Sequence, residues 1–252
     1  SHDGRHKLDP SKPYDRESIP YLVHMPDEGI AMFTYTYVNK NSEAGAAIAI
    51  FGPGVGEAPI QAKLPDRKVP LDMDFSDWKV DDFQMKQDLK FGTAEIHWKS
   101  SEAVIDLSYE GFHPPYAYSA HKDGCPVYCA TNRIEQSGTV KGQVKIGNRT
   151  IDIDTTGHRD HSWGSRDWDA FLNYRWFQGQ AGPDTSVHFW HLHALGDPKL
   201  YGYVFKAGVM AGVITLDFSW EGDKTFDQKY IRVVLKDETG RKTEGKAGGP
   251  TG

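Results

Sequence analysis

Hydrophobic positions along this chain fall in short alternating runs and not at helical spacing. Ile30 to Asn39 alternates apolar and polar side chains, and comparable segments rich in β-branched and aromatic residues occupy Ala46 to Phe51, Phe83 to Lys90, Thr93 to Lys99 and Ala103 to Tyr109. A period of two puts one face of an extended strand on a core and the other in solvent, so these segments predict strands. The proline-punctuated stretch from Gly52 to Asp82 predicts mostly connecting loop. After Gly111-Phe112-His113-Pro114-Pro115 the pattern restarts with expected strands at Val127 to Gln136, Val140 to Ile146 and Thr150 to Asp154. Ser137-Gly138 and Gly147-Asn148 are the expected turns between them. Further strands are expected at Leu172 to Gly179, Ser186 to Ala194, Leu200 to Lys206, Gly212 to Trp220 and Lys229 to Lys236. Asp237-Glu238-Thr239-Gly240 then turns the chain, and the polar Arg241 to Lys246 is the candidate closing strand. The pattern predicts an all-β chain with little helix, divided into residues 1–122 and residues 123–252 at the punctuated segment, each part holding five or more strands.

Composition narrows the function classes. At 252 residues the chain exceeds the commonest domain size, which favours two domains. The formal charge of −6 comes with no basic block, so nucleic acid is not an expected partner. The weakly polar run from Ala44 to Val55 is broken by Gly and Pro and falls short of the ~20 residues a spanning helix needs. No transmembrane segment is therefore expected. Cys125 and Cys129 are the two cysteines. If Cys-Pro-Val-Tyr-Cys is extended they sit ~13 Å apart, at ~3.3 Å per residue, beyond disulfide reach. Free buried thiols suit a reducing compartment, and a cytoplasmic location is the expectation. Seven Trp and twelve Tyr supply enough bulky apolar surface for real cores and leave a few to line something else, a ligand cavity being one candidate.

The densest chemistry lies in Gly157-His158-Arg159-Asp160-His161-Ser162-Trp163-Gly164-Ser165-Arg166-Asp167-Trp168. On an extended strand His158, Asp160 and Ser162 share one face while Arg159, His161 and Trp163 share the other, so Asp160 and Arg159 cannot pair directly. Two readings stand. In one, Arg159, Arg166, Asp160 and Asp167 form a buried ion and hydrogen-bond lattice that braces a barrel corner. In the other, a carboxyl and a His project into an aromatic-walled cavity and act as acid and base, with arginines nearby lowering the carboxyl pKa and opposing a pure acid role.

The run from Arg133-Ile134-Glu135-Gln136-Ser137-Gly138 to Trp168 resembles the signature of a lipocalin-like family related to carotenoid 1,2-hydratases (hydroxyneurosporene synthases) and kievitone hydratase, in which a strand ends in an Asp-His or Asp-Arg pair followed by Trp and Gly. The resemblance implies two tandem lipocalin-like antiparallel β-barrels of the calycin type that hold a hydrophobic ligand, with a more distant connection to fungal cyclases. Asp160 is the residue carried over, with His161 and Trp163 as its neighbours. The Arg166-Asp167-Trp168 arm departs from the hydratase pattern.

The implied function is a cofactor-independent enzyme that adds or removes water, or cyclises, on an isoprenoid- or polyketide-like small molecule of the kind made in secondary metabolism. Asp160, His161 and His158 are the expected catalytic residues. Trp163, Trp168, Arg159 and Arg166 are expected to line the substrate, together with Tyr174, Trp190, His191 and His193 from later strands. His191 and His193 share a strand face, but a two-residue pair is an incomplete metal site, so cavity lining is the preferred reading and no metal is expected. His97, His113 and His121 are isolated and read as surface or core residues. Gly52-Pro53-Gly54-Val55-Gly56 lacks the Lys-Ser/Thr and helix start of a phosphate loop, and no Gly-x-Ser-x-Gly elbow occurs. The alternatives are a lipocalin-like carrier that binds the same class of ligand without catalysis, and a structural protein in which the cluster is a brace.

Overall fold

The computed structural model describes residues 2–223 and 228–248. It is 64% strand and 5% helix, with two curled antiparallel sheets, the arrangement of two tandem lipocalin-like β-barrels. Among the described residues no helix is long and apolar enough to cross a membrane. The chain divides into two compact units, Ser1–Trp168 and Asp169–Gly252.

The first unit contains β1 (Asp15–Met25), β2 (Ile30–Asn39), β3 (Glu43–Phe51), β4 (Ile60–Lys63), β5 (Arg67–Lys68), β6 (Trp78–Val80), β7 (Phe83–Gln87), β8 (Thr93–Lys99), β9 (Ala103–Gly111), β10 (Tyr116–Ala117), β11 (Asn132–Ile146) and β12 (Arg149–Ser165). Ten of these run in the order β4-β3-β2-β1-β12-β11-β9-β8-β7-β6, with β10 on β11 and β5 on β3. Strict alternation in β2 and β9 buries every second residue, as the pattern predicts. The core includes Ile19, Val23, Met32, Trp78, Trp98 and Val144; Trp78 Nε1 donates to Thr36 Oγ1 at 2.8 Å and Gln87 Nε2 to the Tyr21 hydroxyl at 2.7 Å, whereas Trp98 Nε1 is buried with no hydrogen-bond partner among the described residues.

The division at residues 168/169 differs from the expected one at 122/123. β11 pairs with β9 and β12 with β1, so the strands after the Pro-rich punctuation complete the first sheet. Strand β1 is not among the expected strands, and β11 differs from expectation at its centre. Strand β1 is central, between β2 and β12, although it contains Pro20; its ladder to β12 has no pairing at Ile19 and Pro20, where the missing N–H removes a donor. Ser137-Gly138 is not a turn but lies inside β11, where Gly138 is paired with Gly111 on one side and Gly157 on the other. A Cβ at Gly138 would sit 2.4 Å from Glu110 O and 2.5 Å from the Tyr109 ring, so glycine is there for close approach.

The second unit is a meander of β13 (Phe171–Gln180), β14 (Thr185–Ala194), β15 (Asp197–Lys206), β16 (Val209–Gly222), β17 (Gln228–Asp237) and β18 (Lys242–Gly248), paired in sequence order. The polar closing segment is thus a strand. Asp237 sets its turn by accepting from Thr239 N, Thr239 Oγ1 and Arg241 N. Phe189, Val204, Val213, Val233 and Leu235 form a buried apolar cluster in this unit, and Phe177, Val187, Leu200, Leu216, Phe218 and Ile231 pack on it while only partly buried.

Candidate functional site

Strand β12 carries polar chemistry on both faces, and the strand period assigns each residue to one of them. On the first face Glu135 of β11 lies directly opposite Asp160, Ser137 opposite His158 and Arg133 opposite Ser162. Arg133 bridges the two carboxylates, with Nε 2.5 Å from Glu135 Oε1 and Nη2 2.5 Å from Asp160 Oδ2. Ser162 Oγ donates to Asp160 Oδ1 at 2.9 Å. The other Glu135 oxygen meets His158 Nε2 at 2.7 Å, and His158 Nδ1 meets Ser137 Oγ at 2.9 Å. Glu135, Ser137, His158, Asp160 and Ser162 are all buried.

Burial pushes the Asp160 carboxyl above its ordinary value, the Arg133 charge opposes this, and the neighbouring Glu135 adds to the rise. Arg166, further off, also opposes the rise, but the loss of water is the larger effect, so Asp160 holds a proton more tightly than a solvated carboxyl does. The arginine argument from sequence is reversed here because desolvation is the larger effect. Arg166, a candidate partner for Asp160, instead donates to Cys129 O, Ser18 Oγ and Ser162 O and Oγ at 2.8 to 3.1 Å.

His113 closes this network from below. The backbone N–H of Ser137 can only donate, so His113 Nε2 at 3.0 Å must be the acceptor and Nδ1–H donates to Pro114 O at 2.7 Å. Burial, with the nearby His158 adding to it, outweighs the bond to Pro114 and holds the His113 pKa down to about 4. An unfolded chain takes up this proton near pH 6.5 while the folded one refuses it, so stability is gained as pH rises from about 4 to 6.5 and lost on acidification. This contribution is about 3 kcal/mol. Urea unfolding at pH 4.5 and pH 7 is expected to show a smaller pH difference for His113→Gln than for the wild type; equal differences would contradict this tautomer.

The opposite face of β12 carries Arg159, His161 and Trp163. Arg159 makes a two-pronged pair with Asp3, and its guanidinium stacks between Tyr21 and Phe91, 5.6 and 5.4 Å from their ring centres. His161 Nε2 and His6 Nδ1 both lie 2.7 Å from Glu17 Oε1. Asp3 Oδ1 is 3.4 Å from His161 Nδ1. Burial alone would raise the Asp3 and Glu17 carboxyls, but bonds from His161, with Arg159 at Asp3 and His6 at Glu17, outweigh it and hold both below the usual range. Trp163 lies flat on the His6 ring with centroids 3.6 Å apart.

The structure therefore brings Asp160 and His158 together and places His161 on the other side of the sheet. Arg159 and Trp163 are buried against the N-terminal segment. Trp168 is half exposed and lines a cleft of about 490 Å³ with Arg166, Tyr14, Arg16, Tyr35 and Tyr37. In the second unit Tyr174 and Trp190 make an edge contact at 5.9 Å, and His191 and His193 meet at 5.1 Å on one face of β14. Gly164 of the motif has φ +115°, and a Cβ there would meet Thr131 N at 2.4 Å, which accounts for the Trp-Gly step.

Sequence reasoning missed Arg133, Glu135 and Ser137 as site residues, although the spacing of two between Arg133 and Glu135 on the expected strand Val127 to Gln136 is a readable signal; Ser137 fell in the expected turn and carried none. Asp3, His6 and Glu17 carried none. The cysteines also differ from expectation: Pro126 to Cys129 is a turn closed by Cys129 N donating to Pro126 O at 2.9 Å, not an extended run. The two thiols are free, and their interaction with each other pushes Cys125 up and draws Cys129 down.

A comparison of the sequence with curated proteins gives no match. Among solved structures the fold is similar to a protein assigned as AttH from Nitrosomonas europaea, with TM-score 0.67 and 11% identity over 96% of this chain and 98% of that one. It is also similar to kievitone hydratase from Nectria haematococca, with TM-score 0.58 and 12% identity over 93% of this chain and 77% of that one. CghA, solved also with Sch210972, has TM-score 0.66 and 10% identity over 93% of this chain and 75% of that one. At these identities the likeness is one of fold, and it agrees with the hydratase-related, lipocalin-like resemblance of the Arg133 to Trp168 run. The profile of a family described as a domain of unknown function, DUF7064, matches residues 1–249, and the chain belongs to that family.

Proposed function

We propose that this protein is an enzyme that adds or removes water, or cyclises, on a hydrophobic small molecule by proton transfer from its own side chains. The observation that carries this reading is Asp160: a carboxyl buried within the protein, its affinity for a proton raised by that burial, opposite a second carboxylate that shares Arg133 with it. Protonating an alkene needs a proton donor held away from bulk water. Asp160 has that character, and Glu135 with His158 and Ser137 supplies a connected route for returning the proton. His158 then works with Asp160, whereas His161, Arg159 and Trp163 hold the opposite face. The fold likeness to kievitone hydratase supports the reaction class.

Carriage without catalysis is the second reading, favoured by the second unit. Its apolar face keeps Phe177, Leu200, Leu216, Phe218 and Ile231 only partly buried, more open apolar surface than a closed core needs.

Incubation of the protein in D2O with isoprenoid and polyketide-type alkenes separates the two. An acid–base enzyme places deuterium on carbon in the product or the recovered substrate. Saturable binding with no deuterium on carbon would leave the carrier and remove the enzyme.

A further inference from the structure

We propose that His6, Glu17 and His161 form a binding site for a divalent transition-metal ion of the zinc class, which fastens the N-terminal segment to β1 and β12. The three residues come from three separate parts of the chain, and one ligand atom from each lies within 4.8 Å of the others. Two imidazoles and a carboxylate are the donor set that zinc and its first-row neighbours take. The ring nitrogens stand 2.7 Å from Glu17 Oε1. Around a tetrahedral ion with bonds of about 2.0 Å the same atoms would be about 3.3 Å apart, an opening of roughly half an ångström. His6 lies in an irregular segment outside the strands and can open its own contact by that amount, while between the buried Glu17 and His161 the opening comes from rotation of the Glu17 carboxylate.

The surroundings are those of an oriented ligand set as well as a hydrogen-bond cluster. A metal-bound His characteristically turns its second nitrogen to a carboxylate, and the carboxylate ligand is itself held by a hydrogen bond. His161 Nδ1 faces Asp3 Oδ1 at 3.4 Å, and Asp3 is fixed by Arg159. Glu17 Oε2 accepts the His6 backbone N–H at 2.9 Å. Ring rotation is blocked on both sides: Trp163 stacks on His6 at an interplanar angle of 7°, and Phe75 stands edge-on to His161 at 88°. Glu17 and His161 are wholly buried, whereas the His6 side chain is 20% exposed. His6 also lines a cleft of about 560 Å³ whose walls carry Asp72 and Asp74 together with Arg5, Lys7 and Lys40, so the site is open to solvent on the His6 side and water can complete an ion's coordination.

The test uses the full chain, stripped with a chelator and titrated with Co2+ and then Zn2+. One equivalent of Co2+ is expected to give visible d–d absorption that Zn2+ displaces, and Zn2+ is expected to raise the melting temperature by several degrees. His6→Ala, at a partly exposed position, is expected to weaken binding by at least ~100-fold, and Asp3→Asn by about 10- to 100-fold. A variant with both His191→Ala and His193→Ala is expected to bind as the wild type does. Absence of stoichiometric Co2+ binding by the wild-type chain, affinity unchanged in His6→Ala, or binding abolished by the His191 and His193 changes would overturn the site. The first of these needs no variant, so a misfolded substitution cannot hide the answer.

Discussion

Asp160→Asn is expected to lower turnover by roughly 100-fold or more while the protein keeps its fold. The amide retains an acceptor for Ser162 Oγ and matches the carboxyl in shape, but it has no transferable proton. It is also permanently neutral, which is the state that burial already favours at Asp160. Arg133 keeps its bond to Glu135, so the melting temperature should change little. The pH dependence has a definite sign. Activity that needs protonated Asp160 is present below its raised pKa and is lost as pH rises through it, and stability contributed by the bound proton falls over the same interval. Residual activity in Asp160→Asn should lack that alkaline limb. If Asp160 served only as a charged brace for Arg133, the substitution would lower the melting temperature by several degrees and leave turnover intact, an outcome that removes the catalytic assignment.

Arg159→Met is expected to destabilise the first unit by about 3 to 5 kcal/mol, because it leaves the Asp3 carboxylate buried without its guanidinium. Methionine preserves the apolar stem between Tyr21 and Phe91, so the loss reports the charge pair and not a cavity. Asp3→Asn should cost a similar amount for the mirror-image reason, since Arg159 is itself 2% exposed. The double variant should be less destabilised than the sum of the two, by more than the ~0.5 kcal/mol scatter of independent sites. Urea unfolding of the four proteins measures this. Additive losses would mean that the two residues act separately.

The contrast between these two sites follows from what a linear chain can reveal. Alternation in Ile30 to Asn39 and Ala103 to Tyr109 determined strands, and the same period placed His158 and Asp160 on one face of β12 and Arg159 and His161 on the other. These are local facts, dictated by backbone geometry that every strand shares. The glycine at 138 read as part of a turn because sequence shows flexibility, not the neighbouring backbone that requires it. Which charge meets which was decided only by tertiary structure. Arg133 reaches Asp160 across 27 residues and Asp3 reaches Arg159 across 156, and no periodicity encodes separations of that length. Desolvation was equally invisible: it outweighs Arg133 at Asp160 and loses to His161 and Arg159 at Asp3. The sign of each shift depends on how many partners the fold delivers to a carboxyl after removing its water, and that number exists only once β1, β11 and β12 lie side by side.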